Sequence, residues 1–132
     1  ELEPILARHV AAQSRSIMPE SAPEKGFFYR SDHFSLAKQG VPMIYFDSGE
    51  DLVAGGTAAG RAAAEDYTVN RYHKPQDEYR ADWNWDGALE DLTLNWQIGR
   101  ELADGAGWPN WYPKAEFRIL RDKSRAGQWS GP

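Results

Sequence analysis

The sequence has 132 residues, enough for one domain that buries roughly two thirds of the surface its unfolded chain exposes. Charged residues make up 27% and hydrophobic ones 41%, the net charge is −5, and no run of Lys or Arg occurs, which excludes a disordered chain and a polyanion-binding surface. There is no cysteine, so disulfide scaffolds and thiolate metal sites are excluded, and the longest apolar stretch, around Val41 to Phe46, falls far short of the about 20 residues of a membrane span.

Leu2, Ile5, Leu6 and Val10 recur at helical spacing with Pro4 in the first turn, which predicts a surface helix over about residues 3–15. Ser16 to Lys25 reads as a loop. Gly26-Phe27-Phe28-Tyr29 is an aromatic run, either a strand end or a loop anchored by its rings. Ser31 or Asp32 is placed to cap a short helix through Gln39, with Gly40 as the residue that ends it. Pro42 to Phe46 is continuously apolar, with β-branched and aromatic members, and predicts a strand covered on both faces.

Residues 47–56 form a Gly- and Asp-rich loop, and Thr57 is a candidate cap for a helix to about Glu65. Tyr67 to Ala81 reads as irregular. From Asp86 to Ala103, Leu89, Leu92, Trp96, Gly99 and Ala103 form one apolar face of a long helix, which Gly105 and Gly107 stop. Trp108 to Pro113 has the composition of a wrapping tail, followed by a short apolar stretch from Phe117 to Leu120. Three or four helices then stand against one strand, or two at most. A lone strand has no partner for its backbone N–H and C=O groups, so the tally reads as part of a larger α/β domain.

His73 leads the ligand-capable residues. A loop imidazole near the carboxyl edge of a sheet sits where α/β folds place ligands, Pro75 stiffens its loop, and Asp77 can accept the other ring N–H or brace the backbone. Taken alone, the spacing of His73 and Asp77 fits a surface-loop histidine better than a metal ligand. Tyr72 carries a phenol that can stabilise an oxyanion, or an aromatic ring that anchors the loop. Ser31-Asp32-His33 cannot be a catalytic triad, because three consecutive side chains diverge; capping accounts for Ser31 and Asp32, and His33 reads as a structural group or one that supports a site from behind its ligands. His9 is expected to be a packing residue. The six Trp residues raise a carbohydrate platform as a rival, but packing in the helix face and loops accounts for them better.

Arg30-Ser31-Asp32-His33-Phe34 running into Gly40-Val41-Pro42, followed by Tyr72-His73-Lys74-Pro75-Gln76-Asp77, resembles the C-terminal part of an M28 (aminopeptidase-like) zinc metallopeptidase. The resemblance runs from roughly Leu2 to Phe117, and the conjunction of the two blocks in this order is what makes it specific. It implies an α/β fold, a partial α/β/α sandwich of the zinc-exopeptidase (phosphorylase/hydrolase-like) type with Met43 to Phe46 as a central strand. Residues 1–121 would form the C-terminal portion of the catalytic domain and 122–132 a flexible tail. It further implies that His73 is the last zinc ligand, that Tyr72 contacts the tetrahedral intermediate, and that Ser31 and Asp32 line the site.

The family's remaining ligands, an H-x-D motif, a Glu-Glu pair and a further Asp, lie upstream, and this sequence contains neither H-x-D nor Glu-Glu. The expectation is therefore a fragment of a zinc aminopeptidase, with one or two zinc ions in the complete enzyme and no activity in the isolated chain. A glutaminyl-cyclase-like acyltransferase and a catalytically dead interaction module of the same fold are the alternatives. The expected partners are a peptide substrate, and the N-terminal remainder of the catalytic domain or a second copy; nucleic acid and a membrane span are not expected. A secreted or periplasmic parent suits the resemblance.

Overall fold

The computed structural model describes residues 2–126, and 52% of them are helical. Among them are α1 (Glu3–Ala12), α2 (Phe27–Arg30), α3 (His33–Ala37), α4 (Gly56–Asn70), α5 (Asp86–Asp104) and α6 (Arg118–Ala126), with one 3₁₀ turn at Pro23–Lys25. The chain divides into two compact units, residues 1–46 with 92–132, and residues 47–91. No helix among the described residues is long and apolar enough to cross a membrane.

The first unit is organised around α1 and α5. Leu6 and Val10 of α1 and Leu94 and Ile98 of α5 form its buried core, with Ile5, Ile44, Phe46 and Leu102 packed against them. Each such side chain contributes on the order of 2 kcal/mol by leaving water. Leu94, Ile98 and Leu102 follow i, i+4, i+8 spacing, one narrow stripe of a helix. The apolar face expected from Leu89, Leu92 and Trp96 lies on the other side of α5, and these three residues are 59%, 64% and 65% exposed. α5 thus carries two apolar stripes, and the first unit covers only one.

A second cluster is aromatic. Phe28, Phe34 and Phe117 meet at ring-centre distances of 6.0–6.4 Å, and Trp111 stands 5.2 Å from Phe117. Trp111 Nε1 donates to the Gly40 carbonyl at 3.0 Å, so the segment after α5 does wrap back as its composition implied. Gly40 ends the α3 turn as expected: its φ is +82°, and a Cβ there would stand 2.5 Å from the Arg121 amide nitrogen. The aromatic run at Phe27 to Tyr29 is helical, neither strand nor loop.

The expected α/β sandwich is not formed. The described residues contain no strand and no sheet, only an isolated bridge between Leu52 and Gly56. Residues 42–46, the expected central strand, do run without helical structure, and Ile44 and Phe46 turn towards the core while Tyr45 remains 41% exposed. A strand exists only by exchanging N–H and C=O bonds with a neighbour, and among the described residues none lies alongside. The apolar pattern was read as a strand covered on both faces; it is covered on one side only, and pairing is non-local, so no pattern of five residues contains it.

In the second unit, α4 begins at Gly56, one residue before Thr57, so Thr57 lies inside the helix and its hydroxyl donates to Asp51 Oδ1 at 3.4 Å. The helix also runs five residues beyond the expected Glu65. Gly60 is buried against the loop before it, where a Cβ would overlap the Glu50 carbonyl oxygen. The C-terminal tail expected over 122–132 is helical in α6 as far as Ala126; its remainder lies outside the described residues.

Candidate functional site

Tyr72 and His73 follow directly on the end of α4. The helix's last carbonyls need donors, and the Tyr67 carbonyl takes two: the amides of Arg71 (2.8 Å) and Tyr72 (2.9 Å). The chain then makes two successive turns, with the Lys74 amide on the Arg71 carbonyl at 2.9 Å and the Asp77 amide on the Lys74 carbonyl at 3.0 Å. His73 has φ +56°, in the left-handed region that a non-glycine residue enters only where its surroundings hold it. The His73 ring stacks on Tyr72 at 3.9 Å between centres and 19° between planes.

Asp77 is not the acceptor of a His73 ring N–H. Its Oδ2 takes the phenol hydrogen of Tyr67 at 2.8 Å, and the Tyr67 ring lies 6.0 Å from that of Tyr72. The bond to Asp77, with smaller contributions from burial, raises the Tyr67 phenol above its ordinary value and keeps it a donor. A cleft of about 290 Å³ opens beside this loop, lined by Tyr67, Arg71, Asp77, Glu78, Arg80 and Trp83. Its charges are largely paired: Arg71 meets Asp66 at 2.5 Å, and Arg80 forks onto Asp82 at 3.0 and 2.7 Å, holding that carboxyl below the usual range. A cleft of about 330 Å³ in the first unit, lined by Glu101, Leu102 and Trp108 among others, contains none of the expected site residues.

Ser31 and Asp32 belong to the first unit. Neither caps α3 through its side chain: Ser31 Oγ donates back to the Phe27 carbonyl at 3.1 Å, and Asp32 has helical φ and ψ of −60° and −31° with no capping bond. Asp32 is exposed. His33 packs between Phe28 (4.7 Å) and Tyr45 (4.9 Å), as expected of a structural group. His9, expected to be a packing residue, is half-buried and pairs through Nε2 with Glu101 Oε2 at 2.8 Å; Arg8 binds the same carboxylate. Arg8 and then His9 hold the Glu101 carboxyl below its ordinary value.

Tyr67 escaped the sequence reading because it was placed in an irregular loop. One signal was available: ten residues separate it from Asp77, and a helix end followed by a turn returns over that distance.

The model of peptidase family M28 matches residues 1–97, which include both the Ser31-Asp32-His33 block and the Tyr72-His73 block, and the chain belongs to that family. Its relationship is therefore to hydrolases of peptide bonds, in a family that is generally zinc-dependent. No curated protein and no solved structure matches the chain.

A catalytic zinc takes about three protein ligands with a further position open. Among the described residues no three His, Asp or Glu side chains stand close enough to share a metal ion. His73 offers a single imidazole, so these residues do not make a zinc centre by themselves.

Proposed function

We propose that this chain is the C-terminal portion of the catalytic domain of an M28 zinc aminopeptidase, which hydrolyses N-terminal peptide bonds. The observation that supports it most directly is the Tyr72–His73 pair, held in register at the end of α4 inside the family match. His73 is one zinc ligand of a set completed by residues outside those described. The Tyr72 phenol is a donor suited to the oxyanion of a tetrahedral intermediate. One imidazole does not retain zinc tightly, so the chain alone is inactive.

The partner that completes it is the N-terminal remainder of the catalytic domain, in a secreted or periplasmic protein. The exposed apolar side chains of Leu92 and Trp96 on α5 are consistent with such a partner. His73→Ala in the complete protein tests the assignment: loss of hydrolysis of a Leu-terminal peptide together with loss of bound zinc is expected. Full activity and full zinc content in that variant would exclude it. A parallel assay on a Gln-terminal peptide separates hydrolysis from cyclisation.

A further inference from the structure

We propose that Tyr67 is the positioning residue of the Tyr72–His73 pair. This rests on the M28 assignment above and adds a residue to it. Tyr67 grips the loop at two points. Its carbonyl accepts the Arg71 and Tyr72 amides where the loop leaves α4, and its phenol donates to Asp77 Oδ2 at 2.8 Å where the loop closes. Everything between those points, including both candidate site residues, is spanned by one residue.

A clamp of this kind is needed here. The left-handed backbone of His73 is unfavourable for a residue with a Cβ, and Tyr72 and His73 are both exposed, so core packing does not hold them. The two turns from Arg71 to Asp77 and the Lys74 ammonium on the Val69 carbonyl shape the loop but leave its far end unattached to α4. The Tyr67–Asp77 bond provides that attachment. It also fixes the ring of Tyr67 beside Tyr72, on whose other neighbour, His73, the stack depends. Asp77 therefore acts on His73 through Tyr67 and the loop backbone, not by a direct bond to the imidazole.

The stack supplies its own signal, since protons of an imidazole lying 3.9 Å from a phenol ring are displaced upfield in proton NMR. Three variants of this chain are compared with the parent: Tyr67→Phe, Asp77→Ala and Asp77→Asn. Tyr67→Phe and Asp77→Ala are expected to move the His73 ring protons to the positions of free imidazole. Asp77→Asn, whose side-chain oxygen still accepts the phenol hydrogen, is expected to leave them in place. Unchanged His73 resonances in Tyr67→Phe overturn the proposal. Should Tyr67→Phe lose its helical circular dichroism, Asp77→Ala reads the same bond from the loop side, and unchanged resonances there overturn it equally.

In the complete enzyme, Tyr67→Phe is expected to lower kcat on the order of tenfold to a hundredfold with KM little changed, as a displaced catalytic pair should, and the single variant Asp77→Asn to retain most of the parent's kcat. The two failures are distinct. A silent His73→Ala removes the peptidase assignment while the NMR displacement stands, and a silent Tyr67→Phe removes the clamp while the assignment stands.

Discussion

Glu101 shows how a single residue joins two elements. Its carboxylate receives Arg8 and His9 from α1, and these contacts hold it below the ordinary carboxylate range. A depressed value in the folded state means that the unfolded chain binds the proton more readily. The contribution to stability is therefore complete above the unfolded value and is lost as pH falls through the folded one. Helical circular dichroism between about pH 6 and about pH 2 should show an acid limb that Glu101→Gln flattens; an unaltered limb would mean that the contact adds nothing. At this scale the Tyr72–His73 adjacency was legible, because neighbours in sequence are neighbours in space. The Tyr67–Asp77 bond was not, since it depends on where α4 ends, and helix ends are set by which donors reach the last carbonyls.

At the level of elements, two glycines make opposite predictions. Gly99 lies exposed within α5 with nothing near a prospective Cβ, so Gly99→Ala should stabilise the chain by about 0.5–1 kcal/mol through reduced unfolded-state freedom. Gly60 lies within α4 and gains the same propensity from Ala, but its Cβ would meet the backbone carbonyl of Glu50, which cannot rotate away. Overpacking of about 1–3 kcal/mol exceeds the propensity gain, and Gly60→Ala should destabilise. Urea denaturation of the two variants checks both signs. The existence of α1 and α5 was legible from their periodicity. The buried face of α5 was not, because apolar residues lie on two sides of that helix and the larger, Trp-bearing side is the exposed one.

For the whole molecule, an α/β sandwich was expected, and the described residues are helical and contain no sheet. The difference arises from what a sheet requires. Helices satisfy their backbone within a dozen residues, so their presence is written locally; a strand borrows its partners from elsewhere. The same imbalance predicts how the isolated chain behaves in solution. With Leu89, Leu92 and Trp96 open to water along one helix, it should sediment as a mixture whose average mass rises with concentration. Trp96→Glu should suppress that rise, and a concentration-independent monomer of the parent chain would contradict it.

Met43, Ile44, Tyr45 and Phe46 give the segment that joins α3 to the second unit its apolar character, yet among the described residues their amides donate to no carbonyl. Deuterium should therefore enter these four positions nearly as fast as in a free peptide, while the amides of Leu94 and Ile98 resist. The most water-averse stretch of the sequence would then be its least protected backbone. Exchange at these four amides as slow as at Leu94 and Ile98 would contradict that.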